Sequence, residues 1–300
     1  MHFFHSINLK SHIMKRLLYI IISIVIAITL SSGSQPAYGT NKSITLQSTG
    51  KNIGSESLKQ SAEIISTRLK LYGISSFEVK VAADKGQINI HFPDNTDISK
   101  IEGLVTAKGD LKFYETYTHS EIGGIFKQDN PLLKLLHHDQ EQSSSDPRIG
   151  CSSNDDRKKA DEYLRSSVPV SNCKLFWGFD SGKSGYCLFA LKTTEDGKAL
   201  LGRSDIESVK IVTGKDGKEN IIQIKLKSDA IGVFAVATKN NLNRAIAIVI
   251  DDKVYSWPIV KSVIEGGEIE VTGSFTTKEA GYFPALFNSP ELPLNFSLLK

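Results

Sequence analysis

The sequence contains none of the short motifs that mark the common hydrolase, nucleotide-binding and metalloprotease sites. There is no GxSxG, no P-loop, no GxGxxG, no HExxH and no CxxC. Only four histidines follow residue 39, and two of them, His137 and His138, are adjacent. Neighbouring side chains point away from each other in a helix or a strand, so this pair predicts a solvated surface and not a metal site. The sequence therefore predicts a protein that is not an enzyme and has no cofactor or bound metal.

The sequence also lacks an excess of one charge. Three of the 36 basic residues lie within residues 1–39, which contain no acid, so residues 40–300 carry 33 basic and 33 acidic side chains. Proteins that bind a phosphate backbone normally carry an excess of Lys and Arg. We therefore expect no nucleic acid partner.

Long apolar runs are absent apart from one, which has the features of an export signal. Leu17–Leu30 is apolar almost throughout, follows Lys15 and Arg16, and precedes small residues that end at Gly39. The run is shorter than the ~20 residues that a spanning helix needs, which favours a cleaved signal over an uncleaved anchor. Residues 1–39 are thus predicted to be a signal peptide or an N-terminal anchor. The remainder is expected to be exported across the inner membrane, and to be periplasmic or tethered to that membrane facing the periplasm.

Cysteine is scarce, with Cys151, Cys173 and Cys187 only. An oxidising compartment permits one disulfide and leaves one thiol over. Cys173 and Cys187 flank a predicted hairpin in which Cys187 faces Gly178, so at ~3.3 Å per residue their sulfurs are too far apart to bond. Any disulfide should therefore use Cys151, joined to Cys173 or to Cys187. Three free, partly buried thiols are the alternative that the sequence leaves open.

Hydrophobic periodicity predicts a mixture of helices and strands. Residues 57–71 carry an apolar stripe at helical spacing, with Ser57 and Gln60 as a predicted capping box and Gly73 as the glycine that ends the helix. A second helix is predicted at 97–107. Strands are predicted at 77–81, 87–92, 110–114, 174–179, 186–191, 209–213, 221–226, 245–250, 253–256 and 268–272.

Three further helices and several hairpin turns complete the prediction. The helices are expected at 155–164, at 230–240 and from Thr276, where Pro284 should shorten or kink the helix. Asp251-Asp252 lies between two predicted strands and is expected to form a hairpin turn. The order helix, strand, strand, helix, strand near the start indicates an α+β layer with helices on one face of a sheet.

The order of these residues resembles a known family. Ser61–Ile74 and Gly86–Pro93, followed by Ile101–Tyr114, are similar to the start of the first large periplasmic region of SecD and of fused SecDF, membrane components that assist protein export. A second, stronger block follows in the family order. It consists of Leu201–Ile206, Gly232–Phe234, Thr238, Ala245–Asp251, Val254, Ser256, Pro258, Ile259, Gly267, Ile269, Thr272, Gly273, Phe275, Glu279 and Ala280.

The resemblance implies an α+β fold made of a small ferredoxin-like base and a larger inserted α+β head. The base, of antiparallel strands with helices on one face, is placed at residues 40–115. The head is placed at 116–300, with a C-terminal segment that returns to the base. In the family, head motion is thought to hold an emerging polypeptide, with energy from proton flow through transmembrane helices. The family continues into a transmembrane bundle after the counterpart of Leu292–Leu294, so this chain is expected to lack the proton-driven motor.

These observations favour a non-catalytic accessory of protein export. It would bind translocating or unfolded polypeptide, or dock on components of the Sec translocon, and would contact the membrane only through an uncleaved N-terminal segment. An extended chain can pair with an exposed sheet edge through main-chain hydrogen bonds. The alternative is an envelope structural or adhesive protein that reuses the same scaffold, because fold alone does not fix function. The sequence does not identify the binding residues.

Overall fold

A computed structural model of the chain describes eight stretches, and the predicted signal at 1–39 lies outside them. The described residues are 42–50, 53–126, 130–137, 146–166, 171–180, 185–214, 220–272 and 277–299, with the side chains of 125, 154, 180 and 277–280 excepted. Residues 40–300 form one compact unit. No helix within the described stretches is long and apolar enough to cross a membrane.

Strands and helices are interspersed along the chain, which confirms the predicted α+β class. The strands are β1 Lys42–Thr49, β2 Glu78–Ala82, β3 Gln87–Phe92, β4 Leu111–Glu115, β5 Arg148–Ser152, β6 Cys173–Asp180, β7 Gly185–Lys192, β8 Leu201–Gly202, β9 Ile206–Thr213, β10 Asn220–Leu226, β11 Ile246–Ile250, β12 Lys253–Ser256, β13 Glu268–Val271 and β14 Asn295–Leu299. The helices are α1 Ser55–Leu71, α2 Glu102–Thr106, α3 His119–Ile125, α4 Pro131–Lys134, α5 Asn154–Ser166, α6 Ser228–Asn240 and α7 Thr277–Phe287.

The first sheet is antiparallel throughout, in the order β14-β1-β3-β2. Its last strand comes from the end of the described chain, with Leu46 opposite Leu298. Helix α1 covers this sheet with the predicted apolar stripe, and Leu58, Ile65 and Leu69 are fully buried in the first core. The stripe forms because residues three and four apart lie on the same face of a helix.

The two ends of α1 differ in how well the sequence predicts them. Gly73 is confirmed as the terminating glycine, since it has a φ of 95° and the Ile74 N–H donates to the Leu69 carbonyl at 2.9 Å. The capping box of Ser57 and Gln60 is wrong. The helix begins earlier, at Ser55, and Gly54 is its N-cap without a side-chain hydrogen bond. Ser57 is therefore already inside the first turn.

The second and third sheets face each other across a second core. The second sheet has seven strands in the order β5-β7-β6-β12-β11-β4-β8, and the third has three in the order β13-β10-β9. Every residue of β11 is buried, as expected for an apolar strand that is covered on both faces. Ile248 of β11 and Ile224 of β10 belong to the core between the sheets, while Val249 belongs to a core on the opposite face.

Two predicted hairpins are confirmed in register. Gly178 of β6 lies opposite Cys187 of β7, and β11 pairs with β12 around Asp251 and Asp252, whose φ angles are 49° and 59°. Both angles are in the left-handed region that the primed hairpin turns require. The turns predicted near Ser181 and Lys215 lie outside the described residues.

Two helix predictions need correction. The predicted helix 97–107 is two short pieces, a 3-10 turn Ile98–Lys100 and α2, because the chain bends at Ile101. Of the two effects predicted for Pro284, shortening is wrong because α7 continues to Phe287, and a kink stays a prediction. The sequence also predicts a capping box of Thr276 and Glu279 for α7, whose side chains lie outside the described set.

The structure joins Cys151 to Cys187 by a disulfide and leaves Cys173 as a free thiol. The two bonded residues lie directly opposite each other on β5 and β7. The main chain of Cys151 is turned away from β7 and exchanges both hydrogen bonds with His137, at 2.7 and 2.9 Å. The disulfide thereby attaches an edge strand, and through it the segment around His137, to the second sheet. Burial raises the pKa of the Cys173 thiol to about 11.

Loss of the disulfide is expected to destabilise the chain. The bond closes a separation of 36 residues, and such a cross-link stabilises by about 2–4 kcal/mol, largely by restricting the unfolded chain. The double variant Cys151→Ser/Cys187→Ser should lose that free energy of unfolding in a urea titration. Cys173→Ser serves as the control, because it removes a thiol and no bond. Equal stability of the two variants would contradict the expectation.

Candidate functional site

Two chain segments, residues 104–110 and 287–290, meet where the first sheet joins the rest of the fold. We call this the junction, and it is built around a buried arginine. Arg68 of α1 is fully buried. Its Nε donates to the Ser289 Oγ at 3.0 Å, and one terminal nitrogen donates to the carbonyls of Leu104 at 3.2 Å and of Ala107. The other terminal nitrogen donates to the carbonyls of Lys108 at 2.9 Å and Pro290 at 3.1 Å. All five N–H groups of the guanidinium therefore have acceptors.

The charge of Arg68 is held by carbonyl dipoles and not by a carboxylate. Burial, followed by the nearby positive charge of Arg203, lowers the pKa of Arg68 to about 10. The side chain is therefore still protonated at neutral pH. Burying a charge is costly unless its hydrogen bonds are complete, so this site depends on the two segments keeping their positions.

A second arginine and an aspartate hold the same two segments. Arg203 donates to the Phe287 carbonyl at 2.7 Å, to the Ser289 carbonyl, and to the Gly109 carbonyl at 3.4 Å. The carboxylate of Asp251 accepts the backbone N–H groups of Lys108 at 2.8 Å and of Gly109 and Asp110 at 2.9 Å each. The turn at 108–110 is thus bonded through its carbonyls on one side and its amides on the other.

Sequence reasoning missed this junction. Asp251 was assigned to a hairpin turn only, and its carboxylate proves to anchor a turn more than 140 residues earlier. One feature of the sequence indicates that Arg68 is buried. It lies three residues after Ile65 and so falls on the apolar face of α1. A basic residue at that position predicts a buried partner, although nothing in the sequence says where the partner lies.

Helix α3 is attached to the second sheet by an ionic cluster around Glu121. One carboxylate oxygen accepts the Thr118 backbone N–H at 2.7 Å and a terminal Arg244 nitrogen at 2.7 Å. The other lies 3.2 Å from the Lys192 Nζ on β7. Partial burial alone would raise the pKa of Glu121, but the hydrogen bonds from Thr118 and the ion pair with Lys192 outweigh it and lower the pKa to about 2.

The predicted surface pair of histidines is described only in part. His137 is exposed and bonds Cys151 through its backbone, and His138 lies outside the described residues. No group of three or more His, Cys, Asp or Glu residues that could hold a metal occurs in the described stretches.

Four exposed apolar side chains lie on α6, in the loop after it and in the segment after β12. They are Val233, Val236, Leu242 and Ile259, and we call them the apolar surface. Val233 and Val236 lie on the outer face of α6 with 48% and 60% of their surface exposed. In the loop after α6, the Asn243 N–H donates to the Val260 carbonyl at 2.9 Å, which joins this loop to the segment after β12. Leu242 and Ile259 each directly precede one of these two bonded residues.

The opposite face of α6 is firmly packed. Ala230 and Phe234 are buried in the second core, and Ala237 is buried on the same helix. The ring of Phe234 meets that of Phe113 edge to face at 5.9 Å. The buried Thr238 Oγ1 accepts the Ile264 N–H at 3.1 Å. The apolar surface is therefore carried by a rigid helix.

An apolar gap lies between the second and third sheets. Its free volume is about 10 Å³, roughly the room of one water molecule. We call it the inter-sheet gap, and it is lined by Leu111, Ile222, Ile224, Ile248, Tyr255, Ser256, Val271, Phe283 and Phe287. A space of this size is too small for a further side chain, and its apolar walls offer no hydrogen bonds to water.

The chain is similar in sequence to known proteins of one family. Residues 190–294 match the family described as the SecDF P1 head subdomain. The SecD protein translocase subunit of Calditerrivibrio nitroreducens is 35% identical over 251 residues, which cover 83% of this chain and 41% of that protein. The SecD subunit of Acidaminococcus fermentans is 31% identical over 126 residues, 37% of this chain and 30% of that protein. The chain thus spans less than half the length of these relatives.

Solved structures show the same fold. One, described as a membrane component SecDF that enhances protein export, has a TM-score of 0.50 at 16% identity, over 86% of this chain and 98% of that one. Another, SecDF in a super-membrane-facing form, has a TM-score of 0.51 at 15% identity, over 98% of this chain and 35% of that one. The resemblance to the SecD and SecDF periplasmic region is confirmed.

Replacement of Arg68 by lysine is expected to weaken the junction. Lysine has three donors on a flexible stem and cannot serve all the carbonyls that arginine bonds, so the free energy of unfolding should fall by about 2–4 kcal/mol. Chemical denaturation of Arg68→Lys measures this. The exposed Lys70→Arg on the same helix is the matched control, with an expected change within about 0.5 kcal/mol. Equal effects of the two substitutions would argue against the role assigned to Arg68.

Glu121 should make the free energy of unfolding depend on pH below about 4.5. Its pKa is lower in the folded chain than its ordinary value of 4.5, so its stabilising contribution is complete above pH 4.5 and is lost as the pH falls towards 2. Glu121→Gln should therefore be less stable than the wild type at pH 7, and the difference should shrink by pH 3. Urea titrations from pH 7 to 3 measure this, with exposed Glu63→Gln as control. A difference that is independent of pH would rule the explanation out.

Proposed function

From the resemblance to SecD, we propose that the chain is a non-catalytic accessory of protein export that binds extended or unfolded polypeptide. The similarity to SecD proteins supports the association with protein export. Polypeptide binding, and docking on the Sec translocon as a further contact, are the parts that we add. We also propose that the chain is exported and faces the periplasm.

The observation that carries the proposal is the apolar surface. It lies within residues 190–294, the part that matches the head subdomain. Valine, leucine and isoleucine contacts depend on area and not on direction, so such a surface accepts many different sequences. An export accessory must be tolerant in this way, because the chains it meets differ in sequence.

The polar groups of the junction support a mechanical and not a chemical role. Arg68, Arg203 and Asp251 are bonded to backbone groups of the two connecting segments. We propose that residues 40–115 act as a base and 116–300 as a head, with these bonds holding the two together. In that arrangement β14 belongs to the base, because it pairs with β1. We also propose that the chain makes and breaks no covalent bond.

Replacement of two exposed valines tests polypeptide binding. The double variant Val233→Gln/Val236→Gln removes apolar contact area from α6 and should weaken binding about thirtyfold, since half-burying each of the two valines contributes roughly 1 kcal/mol. The probe is reduced, carboxymethylated α-lactalbumin, which remains unfolded, and fluorescence anisotropy with the intact chain measures its binding.

Leu71→Gln is the matched control, because Leu71 is 48% exposed, like Val233, but lies on α1. It should leave binding unchanged. Binding of folded, oxidised α-lactalbumin with the same affinity as the unfolded form, or no binding of either, would contradict the proposed function.

A further inference from the structure

Strand β13 is the outer strand of the third sheet and has one strand partner, β10, among the described residues. The direction of the backbone N–H and C=O groups of β13 can be deduced from β9, the strand at the opposite edge of the same sheet. The Val209 N–H donates to the Asn288 side-chain oxygen at 3.0 Å, and the Asn288 amide donates to the Val209 carbonyl at 2.7 Å. The backbone of Val209 therefore points away from β10.

This fixes which residues of β13 face outward. Val209 lies opposite Ile224, so Ile224 directs its backbone groups to its other neighbour, Ile269. Ile269 and Val271 thus bond β10, and the residues between them, Glu268 and Glu270, direct their N–H and C=O groups away from the sheet. In the part of the chain that the structure describes, no hydrogen bond reaches these outward groups.

The two faces of β13 differ in character. Ile269 and Val271 are buried, and Val271 lines the inter-sheet gap. Glu268 and Glu270 are exposed on the other face, where Glu270 accepts a hydrogen bond from Gln223 at 3.3 Å. A strand added beside β13 would place alternate side chains next to the gap and the others next to the two carboxylates.

We propose that β13 takes up an extended polypeptide as a fourth strand of the third sheet. Apolar side chains of the incoming strand lie beside Ile269 and Val271, and basic side chains lie beside Glu268 and Glu270. This inference rests on the proposed function and deepens it, because it names the edge and the class of polypeptide. The main-chain bonds are indifferent to sequence, so the selectivity lies in the alternation of basic and apolar residues.

The charges also argue against a second copy of this chain as the occupant. Pairing β13 with β13 of another copy would place glutamates on the same face of the ladder, opposite or diagonal to one another. Like charges so placed are destabilising. The same carboxylates attract a basic strand, so complementarity selects a foreign segment over self-association.

The test compares two labelled peptides on the intact chain by fluorescence anisotropy. One alternates lysine with leucine, and the other alternates glutamate with leucine. The lysine peptide should bind at least about tenfold more tightly, because it places opposite charges across the strand pair. The charge-swapped variant Glu268→Lys/Glu270→Lys should reverse the order of the two peptides.

A second pair of probes tests the backbone without changing the protein. N-methylation of alternate residues of the lysine peptide removes the N–H groups on one of its two edges. Methylation on the edge that faces β13 should weaken binding about tenfold or more, whereas methylation on the other edge should be tolerated. This pair decides the question if the charge-swapped variant does not fold.

The outcomes separate this inference from the proposed function. If wild type binds carboxymethylated α-lactalbumin but the charge swap leaves the peptide order unchanged and both methylated peptides bind alike, the β13 inference is wrong and the proposed function stands. If wild type binds no unfolded protein, the proposed function itself fails. If the charge swap changes only the oligomeric state in sedimentation, the edge pairs copies of this chain and the inference is overturned.

Discussion

The buried guanidinium of Arg68 is the interaction on which the rest of the structure depends. Among the residues that the structure describes, it is the one point at which α1, the turn after α2 and the segment after α7 are bonded to the same side chain. A charge in this position is stable only while its carbonyl acceptors stay in place. The first sheet therefore keeps its position against the other two through directional bonds. A purely apolar contact would allow the two parts to slide, whereas five hydrogen bonds define one arrangement.

Outside the junction, buried strands support a helix that carries exposed apolar side chains. β11 is buried on both faces and carries cores on each side of the second sheet. Helix α6 packs on one of these cores and presents Val233 and Val236 outward. Because the packed side is apolar and closely filled, the outer side chains have a fixed scaffold beneath them. A surface on a fixed scaffold does not have to order itself on binding a partner, which would reduce the entropic cost of the proposed polypeptide binding.

Local patterns predicted the elements well, and long-range contacts account for what they missed. The stripe of α1, the apolar run of β11 and the register of Cys187 opposite Gly178 follow from spacing along a short segment. The helix predicted at 97–107 failed because the chain bends within it. The cysteine spacing left two disulfide pairings open, and the structure contains the one with Cys187. Arg68 could not be placed because its acceptors come from chain segments up to 222 residues away.

Asn288 gives the third sheet an asymmetry with a functional consequence. Its side-chain amide satisfies both backbone groups of Val209 and takes the place of a neighbouring strand on that side. A further strand therefore cannot pair with β9 at Val209, and in the proposed function the guest strand is added at the opposite margin, β13. A sheet that accepts one guest strand and no second would not bridge two strands, and so would not seed the open-ended ladders in which strands polymerise.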